Sequence, residues 1–203
     1  MGYGLTLVTP PVEMAVTLNE AKKQVEVATA ISYHDDHLQR LIKAASQQAL
    51  VRSGRQLLTA TYRLTCDQFP SGAGRISIPF PPCQSIQSIK YLDTAGVQQT
   101  LATTVYRLLA VREPAEICLR YGQVWPDVYD EPDVVEITYT AGVADTCGEL
   151  GDEDQWMRHA VLLLVQAYWL RDHGQPYDRL TRAADLILEA HRCGDDFTPY
   201  GEA

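Results

Sequence analysis

His34-Asp35-Asp36-His37 is the densest group of potential metal ligands in the chain. Two histidines three residues apart can face one way on a helix, and with Asp36 between them they outline a small metal-dependent enzyme. A protein metal site usually needs a further ligand, and the sequence identifies none. Both acids also have a simpler role, because carboxylates at a helix start cap free N–H groups and offset the helix dipole. His159 sits within an apolar helical pattern, as expected of a core or interface histidine. His173 and His191 fall near helix ends, where an imidazolium is favourable. Glu149 and Asp152 could share acid–base work, but in an acid-rich stretch such a pair arises by chance. The sequence holds no G-x-S-x-G elbow, P-loop or G-x-G-x-x-G, and no cysteine in a recognised nucleophile motif. No catalytic residue, metal site or cofactor is therefore assigned. Five cysteines, Cys66, Cys83, Cys118, Cys147 and Cys193, lie far apart without a C-x-x-C pair. That spacing specifies neither a zinc cage nor a disulfide framework and fits a reducing cytoplasm.

The 17 basic residues face 26 acids, and the imbalance is local. Between Tyr121 and Met157 there is no Lys or Arg, while Asp127, Asp130, Glu131, Asp133, Glu136, Asp145, Glu149, Asp152, Glu153 and Asp154 all lie there. The rest of the chain is close to neutral. The charge balance argues against direct nucleic-acid binding through a broad basic surface. The acidic block reads either as solvated loop and helix-start carboxylates, or as a surface past which DNA must slide without sticking. Asp127, Asp130, Glu131 and Asp133 are the candidates for the second role. An acidic protein that mimics nucleic acid is a further alternative. No apolar run is long enough to span a membrane and the N-terminus lacks a signal pattern, so a soluble, unsecreted protein is expected.

Four helices and a block of strands must position these residues. Thr17 and Glu20 form a capping box opening a helix from about Leu18 to Thr29. Asp35 is expected to cap a second, with Leu38, Leu41, Ile42, Ala45 and Ala49 on one face and Gly54 ending it. A short loop between the two predicts a helical hairpin. Periodicity then switches to alternation, with Leu58, Ala60, Tyr62, Leu64 and Cys66 on one side of a half-buried strand. Further strands are expected at Arg75 to Ile78, Ile86 to Leu92, Val97 to Leu101, Tyr106 to Val111, Glu116 to Arg120 and Val134 to Thr140. One antiparallel sheet of roughly six short strands would hold them. Helical spacing returns at Asp152 or Asp154 and runs to Gly174, giving the best core helix, and a last helix spans about Tyr177 to Arg192. The expected fold class is α+β: a single domain of 1–203, helical over 1–56 and 152–193, with a β insertion over 57–145 and a tail over 194–203. Trp169 is expected to fill the core. Trp125 and Trp156 are either core or interface anchors. Phe197 and Tyr200, in a tail with no apolar pattern of its own, are candidates to dock on a partner chain.

The order of segments resembles the head–tail connector, or adaptor, family of tailed phages, also found in prophages and gene transfer agents. LTLVTPPVEMAVTLNEAKKQVEV is similar to the family's opening, in which Pro-Pro precedes a short strand-like piece and a "TL-x-EAK" helix. Leu50-Val51-Arg52-Ser53-Gly54-Arg55-Gln56-Leu57 resembles the exit of the second family helix. Thr61-Tyr62-Arg63-Leu64-Thr65-Cys66-Asp67-Gln68-Phe69-Pro70 resembles the "x-W-R-L-x-L-D-x-F-P" strand. Ile76 to Pro82, Ile86 to Asp93, Tyr121-Gly122 with Trp125-Pro126, Val135 to Gly142, and Arg158 to Val165 continue the likeness to about Trp169. The resemblance implies a ring of about twelve copies beneath the portal protein, in the virion neck. Such a ring extends the DNA channel, lets DNA pass without specific binding, and presents a face to the next neck or stopper protein. It implies no membrane partner and no catalytic residues. The tail with Phe197 and Tyr200 is the candidate portal-docking element.

Overall fold

The structure, a computed structural model, describes residues 2–193, the side chain of Glu153 apart. It is α+β, with four α-helices and eight strands in two antiparallel sheets. The chain divides into two compact units.

One unit takes in residues 2–10 and 59–142, with Cys193. Its strands are β1 (Tyr3–Thr9), β2 (Ala60–Cys66), β3 (Ile76–Ile78), β4 (Cys83–Leu92), β5 (Gln98–Thr100), β6 (Tyr106–Leu109), β7 (Ala115–Leu119) and β8 (Val135–Ala141). Five of them form a sheet in the order β1-β2-β8-β4-β5, and three form another in the order β3-β7-β6. Alternation along β2 buries Ala60, Tyr62, Leu64 and Cys66, as the sequence pattern requires. Its partner β8 buries Val135, Ile137, Tyr139 and Ala141 in register with them, so that Tyr62 faces Tyr139 and Leu64 faces Ile137. The two tyrosine rings stack with centroids 5.8 Å apart. The Tyr139 hydroxyl donates to the Pro79 carbonyl at 3.1 Å, which satisfies a fully buried polar group. Burial pushes the Tyr62 phenol up to about 12 and the Cys83 thiol up to about 11.

Two expectations for this unit need correction. The strands make two sheets rather than one. A strand also precedes Pro10-Pro11, where the sequence suggested a strand-like piece after them. β1 pairs antiparallel with β2 from Tyr3 opposite Cys66 onward. Its own residues are mostly exposed, so it shows little of the buried alternation by which a strand is read from sequence.

The second unit takes in Pro11–Leu58 and Val143–Arg192. Its helices are α1 (Leu18–Gln24), α2 (Asp35–Ser53), α3 (Gln155–Asp172) and α4 (Asp178–Ala190), with two 3-10 turns ahead of α3. The capping box forms as expected: the Thr17 hydroxyl accepts from the Glu20 N–H at 3.2 Å, and the Glu20 carboxylate accepts from the Thr17 N–H at 2.7 Å. α1 nevertheless stops well short of Thr29. Glu26 adopts φ 60°, and the Glu26 and Val27 N–H groups donate back to the Lys23 and Lys22 carbonyls. That is a Schellman end with Glu where Gly or Asn is usual, and composition gave no sign of it. Asp35 does not act as the N-cap. It is the first residue of α2, and its carboxylate pairs with Lys22, whose side chain is only 4% exposed and also donates to the Thr29 carbonyl at 3.2 Å. The expected apolar face of α2 is buried, and Gly54 closes the helix at φ 65° with its N–H on the Leu50 carbonyl. α3 packs against α1, α2 and α4 and buries Met157, Ala160, Val161, Leu164, Val165 and Ala167. Of the two expectations for His159, core or interface, exposure on α3 removes the core one.

Candidate functional site

The acidic candidates lie on the loop between β7 and β8, and the loop is anchored by its aromatic residues. Gly122, at φ 74°, turns the chain after β7. Trp125 then enters the core: its indole lies flat on Phe69, and its Nε1–H donates to the Gly74 carbonyl at 3.0 Å. Farther on, the Tyr129 N–H donates to the Leu92 carbonyl and the Leu92 N–H to the Val134 carbonyl, each at 3.1 Å. Asp133, at φ 56°, donates its N–H to Asp67 Oδ1 at 3.3 Å. The Asp67 carboxylate also accepts from the Gly2 N–H, and these two backbone donors hold it below the usual carboxylate range. Between these anchors Asp127, Asp130, Glu131 and Asp133 are all exposed. Among the described residues, none of the four meets a Lys, Arg or His within 4.0 Å. Four carboxylates with no local counter-ion project a negative field into solvent.

The same loop forms one wall of a groove of about 620 Å³, whose other wall is the segment from Gln68 to Ala73. Phe69 and Trp125 floor it, and Leu119, Val124 and Asp127 lie along it. The groove joins segments about fifty residues apart in the chain and was not anticipated. The available signal was the pair of aromatics, Phe69 and Trp125, each set beside a proline in an otherwise polar stretch.

In the helical unit the histidine cluster gathers around Trp169. The His34 ring meets that indole edge-on at 5.1 Å between centroids, His37 lies at 5.7 Å and His173 at 4.3 Å. His37 Nε2 stands 3.3 Å from Asp172. Trp169 is thus half-buried beneath imidazoles rather than in the core proper. Trp156 stacks on His191 at 4.2 Å. Glu149 caps its own 3-10 turn, accepting from the Thr146 N–H at 3.3 Å. Among the described residues no three His, Cys, Asp or Glu side chains converge as a metal-holding group, and no helix is long and apolar enough to cross a membrane. Phe197 and Tyr200 lie outside the described residues.

The fold is shared with chains of solved gene transfer agent structures. In particular, the chain is similar to a chain in the neck of an empty gene transfer agent particle computed with C6 symmetry, at a TM-score of 0.76 and 20% identity over 96% of this chain and 97% of that one. It is similar also to a chain of the native gene transfer agent virion (TM-score 0.74, 22% identity, 95% and 97% covered). A third likeness is to a chain of the native neck computed with C12 symmetry (TM-score 0.71, 23% identity, 96% and 97% covered). No protein-family model matches the sequence, and no curated protein does.

Proposed function

We propose that this protein is a structural head–tail adaptor of a tailed phage or phage-like particle. About twelve copies form a ring below the portal, extend the DNA channel and join the head to the next neck or stopper protein. The observation that carries this reading is the likeness to neck chains over nearly the whole length of both partners. The order of sequence motifs supports it independently. The protein acts by binding and shape, without catalysis or a cofactor, and its place is the virion neck after assembly in the host bacterial cytoplasm.

The acidic loop suits a channel lining. Repeated around a ring, Asp127, Asp130, Glu131 and Asp133 would set a band of negative charge against DNA phosphates, so that DNA passes without adhering. Phe197 and Tyr200 are assigned to portal docking, two aromatic anchors in a polar tail. The test is the mass of a purified matched portal ring before and after mixing with the protein, by native mass spectrometry. A gain near a dozen 22.6 kDa subunits is expected. An unchanged portal mass at saturating protein would overturn the reading.

A further inference from the structure

The three most exposed large hydrophobic residues of the β unit are Val111, Tyr121 and Val124, and they divide between two places. Val111, 99% exposed, sits at the tip of the β6–β7 hairpin between exposed Ala110 and Arg112. Tyr121 and Val124 stand at the opposite end of β7, where the chain leaves Leu119 and becomes the wall of the groove. The tip is convex and the groove concave. β7 holds them about 17 Å apart, since five extended residues rise roughly 3.3 Å each, so a subunit's tip is kept out of its own groove.

Charge follows the same division. At the tip, the Arg112 and Arg75 guanidiniums share the carboxylate of Glu116 at 2.6 and 3.1 Å, and the Arg112 side chain remains 51% exposed. With Glu113 beside them, the tip is formally neutral and presents a guanidinium outward. The groove wall carries Asp127, and the loop continues through three more carboxylates without a Lys or Arg. The net charge of −9 is concentrated in the stretch that includes this loop, so two copies repel where their acidic loops meet. A neutral, guanidinium-bearing apolar tip is a part of one copy that an acidic, aromatic-floored groove on another would accept.

We infer that the β6–β7 tip of one copy seats in the groove of a second, with Val111 against the Phe69–Trp125 floor and Arg112 against Asp127. Knob and groove are different surfaces, so the contact is heterologous and propagates head to tail, as a closed ring requires. Asp127 then belongs to the contact between copies, leaving Asp130, Glu131 and Asp133 to the channel. The inference rests on the adaptor reading for its ring, and on the tip and groove alone for the pairing.

The test places photo-reactive benzoylphenylalanine at position 111 of the full chain, irradiated alone at about 100 μM and on a matched portal ring, with cross-linked peptides mapped by mass spectrometry. Cross-links from position 111 to residues 119–128 of a second copy are expected. Arg112→Glu or Asp127→Arg alone should lower their yield about fivefold, the upper range for a surface ion pair, and the two together should restore it. Simple misfolding would not be rescued by the second reversal. Cross-links that map elsewhere while the portal still gains copies would sink the pairing and leave the adaptor role standing. Cross-links to 119–128 without portal binding would do the reverse, and the absence of both would remove both.

Discussion

The indole of Trp125 lies on the ring of Phe69 with centroids 5.0 Å apart and planes within 9° of parallel, joining two loops at the floor of the groove. Trp125→Phe keeps the stack and leaves the Gly74 carbonyl without its donor, an expected loss of about 1 kcal/mol. Trp125→Ala removes the ring as well and should cost about 3–5 kcal/mol, as for large aromatic truncations in cores. Urea denaturation of both variants checks the order, and equal losses would mean that the ring contributes no packing.

Lys22 is the buried tie between the end of α1 and the start of α2. Lys22→Met strands the Asp35 carboxylate and the Thr29 carbonyl and should destabilise by about 1–3 kcal/mol. Adding Asp35→Asn should recover part of that loss, because a neutral amide tolerates the missing ammonium better. Thermal and urea unfolding of the single and double variants measure the coupling directly.

Stability toward acid should depend on Glu20. Burial pulls its carboxyl upward, but the Thr17 N–H and hydroxyl and the Arg158 guanidinium outweigh this, so its folded value lies below the ordinary one. A depressed carboxylate contributes fully above its unfolded pKa and loses the contribution as pH falls through the folded one. The melting temperature should therefore drop as the pH falls below the ordinary glutamate value of 4.5, and Glu20→Gln should flatten that drop. A variant curve parallel to wild type would contradict the assignment.

Cys83 should be chemically silent in the folded protein. With its thiol pushed up to about 11, roughly one molecule in a thousand is thiolate at pH 8, and the side chain is buried as well. Alkylation should reach Cys83 only after denaturant is added. Tyr62, pushed up to about 12, should likewise stay protonated in a spectrophotometric titration carried to about pH 11. Rapid labelling of Cys83 in native buffer would require an opening of the β4 edge.

Asp130 and Glu131, at the exposed part of the loop, should be dispensable for folding. Reversing Asp130 and Glu131 to Lys removes no ion pair among the described residues and spares Asp127, so stability should change by about 0.5 kcal/mol or less. The same variant, incorporated into particles, should hinder DNA passage or retention in a salt-dependent manner. Unchanged particle infectivity would count against the channel role.

Much of the helical unit was legible because its signals are local. The Thr17–Glu20 box and Gly54 satisfy or end backbone hydrogen bonds within a few residues, and the spacing of Leu38 through Ala49 marks one buried helix face. The alternation in β2 and β8 was legible for the same reason, each strand carrying its own buried side. The early end of α1 was not, because the left-handed position fell to Glu26, which composition does not mark. Asp35 was misassigned as a cap because its partner, Lys22, lies thirteen residues earlier and becomes a partner only when the loop folds back.

By itself, then, the sequence determined the four helices and the strands from β2 onward, the single basic-free acidic stretch, and the resemblance of its motif order to neck adaptors. Tertiary structure alone decided that β1 pairs with β2 across more than fifty residues, that the strands divide into two sheets, and that Phe69 meets Trp125 to floor a groove. It alone gathered three histidines around Trp169, and set Val111 and Val124 at opposite ends of one short strand. Periodicity and capping record what a residue needs from its near neighbours in the chain, whereas a groove, a knob and a pairing register exist only once distant segments exclude water between them.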